Sequence, residues 1–223
     1  MVECAWRDLG RMDYAAAFEL QRNLVEQRKR AEIPDHLLLV EHPHVITLGR
    51  NAKREHLLAG AGDLRRAGVA IEETDRGGDI TYHGPGQLVG YPIVDLRGWK
   101  RDVVEYVRAL EEVLIGVLGE FGIPAQRAAG MTGVWAEGSK IAAIGVHISR
   151  WVSSHGFALN VTTDLKYFQY IVPCGLAGRP VTSMERLLGA GPGREPVMAA
   201  VVRHFGNVFT RQMAACDEVL CRT

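Results

Sequence analysis

Cys174 sits in the run Ile171-Val172-Pro173-Cys174-Gly175-Leu176, with a proline before it and a glycine after it. Those neighbours hold a residue in a rigid turn and not in mid-strand or mid-helix, and from a turn a sulfur faces a cleft. Going by burial habits alone, a lone cysteine is more often an inert apolar filler than a nucleophile, so the neighbours decide the reading. A free thiol ionises near pH ~8.5, and reaction at neutral pH needs a cation or base close by. Lys140, His83, His147 and His155 are the side chains weighed for that role. Lys140 opens the apolar run Ile141-Ala142-Ala143-Ile144-Gly145-Val146, whose small residues leave a groove beside an ammonium. A solvated lysine at a strand end is the plain alternative. A lysine partly withdrawn from water gives up its proton more readily, and once neutral it accepts one from a thiol or an incoming amine. Each histidine also reads as a hydrogen-bonded structural group.

The second feature with chemical content is Arg76-Gly77-Gly78-Asp79-Ile80-Thr81-Tyr82-His83-Gly84-Pro85-Gly86-Gln87-Leu88-Val89-Gly90-Tyr91, which holds five glycines and a proline. Glycine loses the most backbone entropy on folding, so a cluster of it among Arg, Thr, Tyr and His points to a backbone that approaches a ligand closely. Two tight turns around a short strand are the simpler explanation of any single Gly-Pro-Gly, and the polar side chains between the turns favour a site.

Mixed elements must carry these residues. Asp13 caps a predicted helix through about Arg30, with Tyr14, Ala17, Phe18, Leu20, Leu24 and Val25 on its apolar side. Leu37–Val40 and Val45–Leu48 read as strands separated by His42-Pro43-His44, and Val69–Ile71 leads into the glycine-rich run. Asp102 and Glu105 form a capping-box pattern for a second helix that Gly122 and Pro124 end. Beyond Ala125 come strand-like runs at Gly133–Trp135, Lys140–Ile148 and His155–Val161. Their short gaps, one at Glu137–Ser139 and one near Trp151–Ser153, predict antiparallel hairpins. A glycine-rich connector, Gly189–Gly193, precedes a helical segment over about residues 194–223.

The chain has 223 residues, 47% hydrophobic and 23% charged, with 26 basic residues against 26 acidic ones. That fits one globular domain of 1–223, and it supplies no global field for nucleic acid or an anionic membrane. Cys4, Cys174, Cys216 and Cys221 lack metal-ligand spacing, so no metal is expected. The first residues have no secretory pattern and no stretch reaches the ~20 apolar residues of a membrane span, so a cytoplasmic chain with reduced thiols is the expectation. The dinucleotide and phosphate-loop fingerprints are missing.

R-G-G-D-I-T-Y-H-G-P-G-Q (76–87), T-G-V-W (132–135), K-I-A-A-I-G-V-H (140–147), H-G-F-A-L-N-V (155–161) and P-C-G-L (173–176) together resemble the lipoyl(octanoyl) transferase family, as does the upstream L-L-L-V-E-H-P-H-V-I-T-L-G-R (37–50). The likeness runs from about Leu37 to Met184. It implies an α/β (α+β) fold related to the catalytic domain of biotin and lipoate protein ligases, a mixed, largely antiparallel sheet packed by helices. It also implies an activity, moving an octanoyl group from acyl carrier protein to a lysine of lipoyl domains, such as those of 2-oxoacid dehydrogenases and the glycine cleavage H protein. No cofactor is implied, and a monomer is expected. By motif matching, Cys174 is the acyl-accepting nucleophile and Lys140 its partner. The substrate-binding segments fall on Arg76, Gly77, Gly78, Asp79, Ile80, Thr81, Tyr82 and His83, on Ala143, Ile144 and Gly145, and on Gly156, Phe157 and Ala158. Asp79 and His147 are given no essential role. Two alternatives stand beside it: an ATP-dependent lipoate or biotin protein ligase, which needs no cysteine nucleophile, and a non-catalytic module that binds an acyl chain or a lipoyl domain.

Overall fold

A computed structural model of the chain describes residues 2–172 and 180–216. Strand β1 (Val2–Arg11) is followed by helix α1 (Tyr14–Lys29) and by strands β2 (Asp35–Glu41) and β3 (Val45–Leu48). Helix α2 (Ala61–Arg66) leads to β4 (Ala70–Glu73), β5 (Ile80–His83) and β6 (Gln87–Ile93). Helix α3 (Val103–Glu120) precedes β7 (Gln126–Ala128), β8 (Met131–Ala136), β9 (Ser139–Ser149) and β10 (Val152–Asn160). Helices α4 (Met184–Leu188) and α5 (Arg194–Phe209) and strand β11 (Arg211–Ala215) complete the described chain.

Eight strands form one sheet in the order β11-β1-β2-β6-β10-β9-β8-β7, and three form a smaller sheet, β4-β3-β5. In the large sheet only β1 pairs in parallel, with β11 and with β2; the other pairings are antiparallel, including the β8–β9 and β9–β10 hairpins expected from their short loops. The hairpin turns rest on positive backbone angles. Glu137 and Gly138 stand at φ 48° and 74°, and Arg150 and Trp151 at 52° and 67°. Two consecutive positive φ values match the twist of the flanking strands, and the second turn achieves this without glycine. The sequence suggests a turn near Trp151–Ser153, but it falls on Arg150 and Trp151, and Val152 and Ser153 already belong to β10.

Side chains of β2 and β6 alternate between two packed faces. Leu37, Leu39 and Leu88 join α3 and α5 in the main core, while Leu38, Val40, Val89 and Tyr91 meet α1 on the opposite face. Asp102 caps α3, accepting from the N–H groups of Val104 at 2.8 Å and Glu105 at 3.0 Å. The Glu105 carboxylate pairs with Lys100 at 3.3 Å, so only half of the expected capping box forms. Asp13 stands at the start of α1 without a side-chain capping bond. At the C-terminal side the helix stops at Phe209, Thr210 takes φ 55°, and the chain turns into β11 where the sequence had suggested continued helix.

Candidate active site

A cleft, partly open to solvent, lies where the α1 face of the large sheet meets the smaller sheet. Its walls are Arg76–Asp79, Thr81 and His83 from the glycine-rich run, Ala143–Gly145 from β9 and Gly156–Ala158 from β10. Twelve of the fourteen expected substrate-binding residues therefore line one cavity. Ile80 and Tyr82 do not. They alternate with Thr81 and His83 along β5 and point the other way, into a cluster with Ile46, Leu64 and Phe168. The Tyr82 hydroxyl bonds His44 Nδ1 at 2.8 Å and its ring stacks on Tyr167, so it is a structural residue of the small sheet.

Glycine permits the close approach that forms this wall. The Gly77 N–H donates to the Val146 carbonyl at 2.8 Å, tying the loop to β9. A Cβ on Gly145 would stand 2.8 Å from the Gly77 carbonyl oxygen, too close for any side chain. Arg76 is buried and turned inward: Nη2 donates to the Thr47 carbonyl at 2.7 Å and to Thr47 Oγ1 at 2.9 Å. It anchors the loop to β3. Asp79 accepts from the Lys53 N–H at 3.2 Å and also pairs with His56.

Two of the buried polar groups that line the cleft, His83 and Tyr91, are neutral. Burial, followed by the nearby His42 and Arg76, lowers the His83 imidazole to about 3, so it is neutral at physiological pH. Its Nδ1 bonds Gln87 Oε1 at 2.8 Å. Burial likewise raises the Tyr91 phenol well above its ordinary value; its hydroxyl meets His42 Nε2 at 2.7 Å. Tyr14, at the start of α1, stacks on His83 at 6.0 Å and bonds Thr74 at 3.1 Å. His155, at φ 54°, bonds Asp75 Oδ1 through Nε2 at 2.6 Å, and that bond is the main reason the Asp75 carboxyl lies below its usual range. His147 stands 3.7 Å from the same carboxylate and does not line the cleft. Tyr14, Val89, Tyr91 and His155 complete the wall. None of these four is among the substrate-binding segments expected from the sequence. Tyr91 lay within the glycine-rich run, whereas nothing in the local pattern linked Tyr14 to it.

Lys140 is the second residue of β9, the strand that continues into Ala143–Gly145. It is buried, with its Nζ 5.7 Å from the Trp135 ring centre. Its N–H donates to the Pro180 carbonyl at 2.9 Å and its carbonyl accepts from the Thr182 N–H at 3.0 Å. Cys174 lies outside the described residues. Before it, the Val172 N–H is held by the His56 carbonyl at 2.8 Å, beside the Asp79 wall of the cleft. Of the described cysteines, Cys4 is buried and burial pushes its thiol up, away from the reactive thiolate. Among the described residues no group of three or more His, Cys, Asp or Glu is arranged to hold a metal ion. No helix among the described residues is long and apolar enough to cross a membrane.

Known proteins share this architecture. A protein of Solibacter usitatus named Octanoyltransferase is 61% identical over 213 residues, covering 96% of each chain. The crystal structure of a lipoate-protein ligase A bound with ATP superposes with a TM-score of 0.77 at 16% identity, over 97% of this chain and 90% of that one. The apo biotin protein ligase of Aquifex aeolicus superposes at 0.54 and 12% identity, over 94% and 70%. At such identities the two ligases share the fold alone. Residues 13–206 match the lipoyl protein ligase A/B catalytic domain, and the chain belongs to that family.

Proposed function

We propose that this protein is an octanoyltransferase that moves an octanoyl group from acyl carrier protein to a specific lysine of a lipoyl domain. The observation that carries the reading is the cleft, with small and apolar residues on β9 and β10 and neutral imidazole and phenol groups further in. Such a slot takes an extended, uncharged chain, and each methylene buried there contributes about 0.8 kcal/mol. The high identity to a relative named Octanoyltransferase supports the same activity.

In the proposed first step Lys140 takes the Cys174 proton and the thiolate attacks the donor's thioester carbonyl. The new C–S bond forms as the donor's C–S bond breaks, and the carrier's thiol leaves with the proton from Lys140. One thioester replaces another, so the step needs positioning and oxyanion stabilisation more than an energy source, and no nucleotide. In the second step the neutral amine of the acceptor lysine attacks the Cys174 thioester. A C–N bond forms, the C–S bond breaks, and the amine's surplus proton passes through Lys140 to the departing sulfur. Lipoyl domains of 2-oxoacid dehydrogenases and the glycine cleavage H protein are the proposed acceptors, and the enzyme works as a monomer.

The test is incubation with octanoyl-acyl carrier protein followed by intact mass, with and without an apo lipoyl domain. The expected result is one octanoyl adduct, mapped to Cys174, that disappears as the lipoyl domain gains the same mass. ATP-dependent incorporation of free octanoate without such an adduct would overturn the reading in favour of a ligase. Binding without turnover would overturn it in favour of a non-catalytic module.

A further inference from the structure

Helix α3 buries a carboxylate that the transferase chemistry above leaves unexplained. Glu111 is 0% exposed, beside the apolar Leu110, Val113 and Leu114 of the main core. A buried charge is costly unless its oxygens are satisfied. Oε2 accepts from Arg108 Nη1 at 2.7 Å and from Arg127 Nε at 3.0 Å. Two arginines reaching in from the surface would satisfy a half-exposed carboxylate equally well, so they do not explain the depth. The other oxygen does: Oε1 accepts the backbone N–H of Gly133 at 3.0 Å.

Gly133 belongs to the Thr132-Gly133-Val134-Trp135 motif, which lines no part of the cleft. It stands at φ 119°, a conformation that side chains rarely adopt, and the pairing of β8 with β9 shifts register between Val134 and Trp135. A Cβ at Gly133 would lie 2.6 Å from both the Ala142 carbonyl oxygen and Lys140 Cε, and 3.3 Å from Lys140 Nζ. The lysine stem thus crosses bare backbone at residue 133, with the Trp135 ring also within cation–π reach of its ammonium.

We infer that Glu111 is a positioning residue for Lys140. By holding the Gly133 N–H it keeps the bulged backbone in the one shape that leaves room for the lysine stem, and so fixes where the ammonium stands. This rests on the proposed role of Lys140 in acyl transfer and goes beyond it by naming the group that sets the lysine in place.

Two variants and two readouts test it. Gly133→Ala places a methyl against the Ala142 carbonyl and in the path of the stem. Glu111→Gln leaves one carbonyl oxygen where two oxygens now serve Gly133 and the arginines. Each should lower kcat by about tenfold or more while KM stays within about twofold, the pattern of a group that acts in the reaction and not in binding. Each should also shift the pH profile with which Lys140 is acylated by a small anhydride, mapped by mass spectrometry. In a Lys140→Ala background neither substitution should change the residual rate by more than about twofold, because the group they act through is gone. Equal losses in both backgrounds, or an unmoved Lys140 reactivity profile, would overturn the inference in favour of a purely structural carboxylate. If Gly133→Ala does not fold, the same readouts on Glu111→Gln decide. If the wild-type protein transfers no acyl group, the transferase reading falls, while the anhydride profile still decides whether Glu111 positions the lysine.

Discussion

On the face of the large sheet covered by α3 and α5, the strands present Leu37, Leu39, Leu88 and Leu159 to a continuous apolar core that includes Leu110, Val201 and Phe205. On the face covered by α1, the same strands present Val89, Tyr91 and Ala158 to a smaller cluster, and beside it glycine and alanine leave the cleft. Side-chain volume on one face holds the fold together, and its omission on the other makes a binding slot. Strand alternation makes the division possible, because neighbouring residues on one strand serve the two ends separately.

Substitutions on the two faces should therefore separate stability from activity. Leu110→Ala, in the α3 face, should lower unfolding free energy by about 2–5 kcal/mol in urea titrations while kcat/KM at a permissive temperature stays within about twofold. Loss of activity in the still-folded variant would break the division. Ala143→Phe fills the cleft, and about a hundredfold fall in kcat/KM for the octanoyl donor is expected with the thermal midpoint little changed. A variant that unfolds but transfers normally while folded would show that the cleft belongs to the structural core instead.

Acid provides a gentler probe of the α1 face. The His83 pKa is about 3 in the folded protein and about 6.5 in the unfolded chain, so between these values the unfolded state binds more protons. Stability contributed by neutral His83 is complete above about pH 6.5 and declines as the pH falls toward 3. Burial lowers His36 and His42 as well. His83→Gln should accordingly make the acid-side decline of the urea midpoint shallower without removing it; an unchanged slope would show that His83 is not a neutral buried group. The smallest effect is expected outside both faces. Arg203 on α5 pairs with Glu120 on α3 at the exposed surface, and Arg203→Gln should leave the midpoint where it is. A clear loss would mean that surface charge, and not apolar burial, clamps the two helices together.

The sequence conveyed the slot better than the frame around it. Arg76–His83, Ala143–Gly145 and Gly156–Ala158 could be grouped because glycine and alanine next to polar residues mark close backbone approach, a local signal. Ile80 and Tyr82 were included because a motif runs continuously while a strand alternates, and the alternation became visible only once β5 had a partner. Tyr14 is not legible as a wall residue because it reaches the cleft through tertiary packing, from α1, and His155 reads as a candidate partner of Cys174, whereas it bonds Asp75 and lines the cleft. β1 was missed since Val2–Arg11 has no clean period of two, and its partners, Arg211–Ala215 and Asp35–Glu41, are distant in sequence or drawn from another pattern. Glu111 is readable in sequence only as one more acidic residue of an amphipathic helix.

The pairing of β1 with β11 has a consequence for how the protein is made. Val2 to Trp6 leave the ribosome some two hundred residues ahead of their neighbours on one side, Arg211 to Ala215. Throughout synthesis β1 has a row of unpaired backbone groups on that edge, a template for another nascent chain. Arg7 and Asp8, the next residues along that strand, put charge beside the bare edge during this interval. The same charges that hide the strand from a search for alternating hydrophobicity keep it from pairing with the wrong partner until β11 arrives.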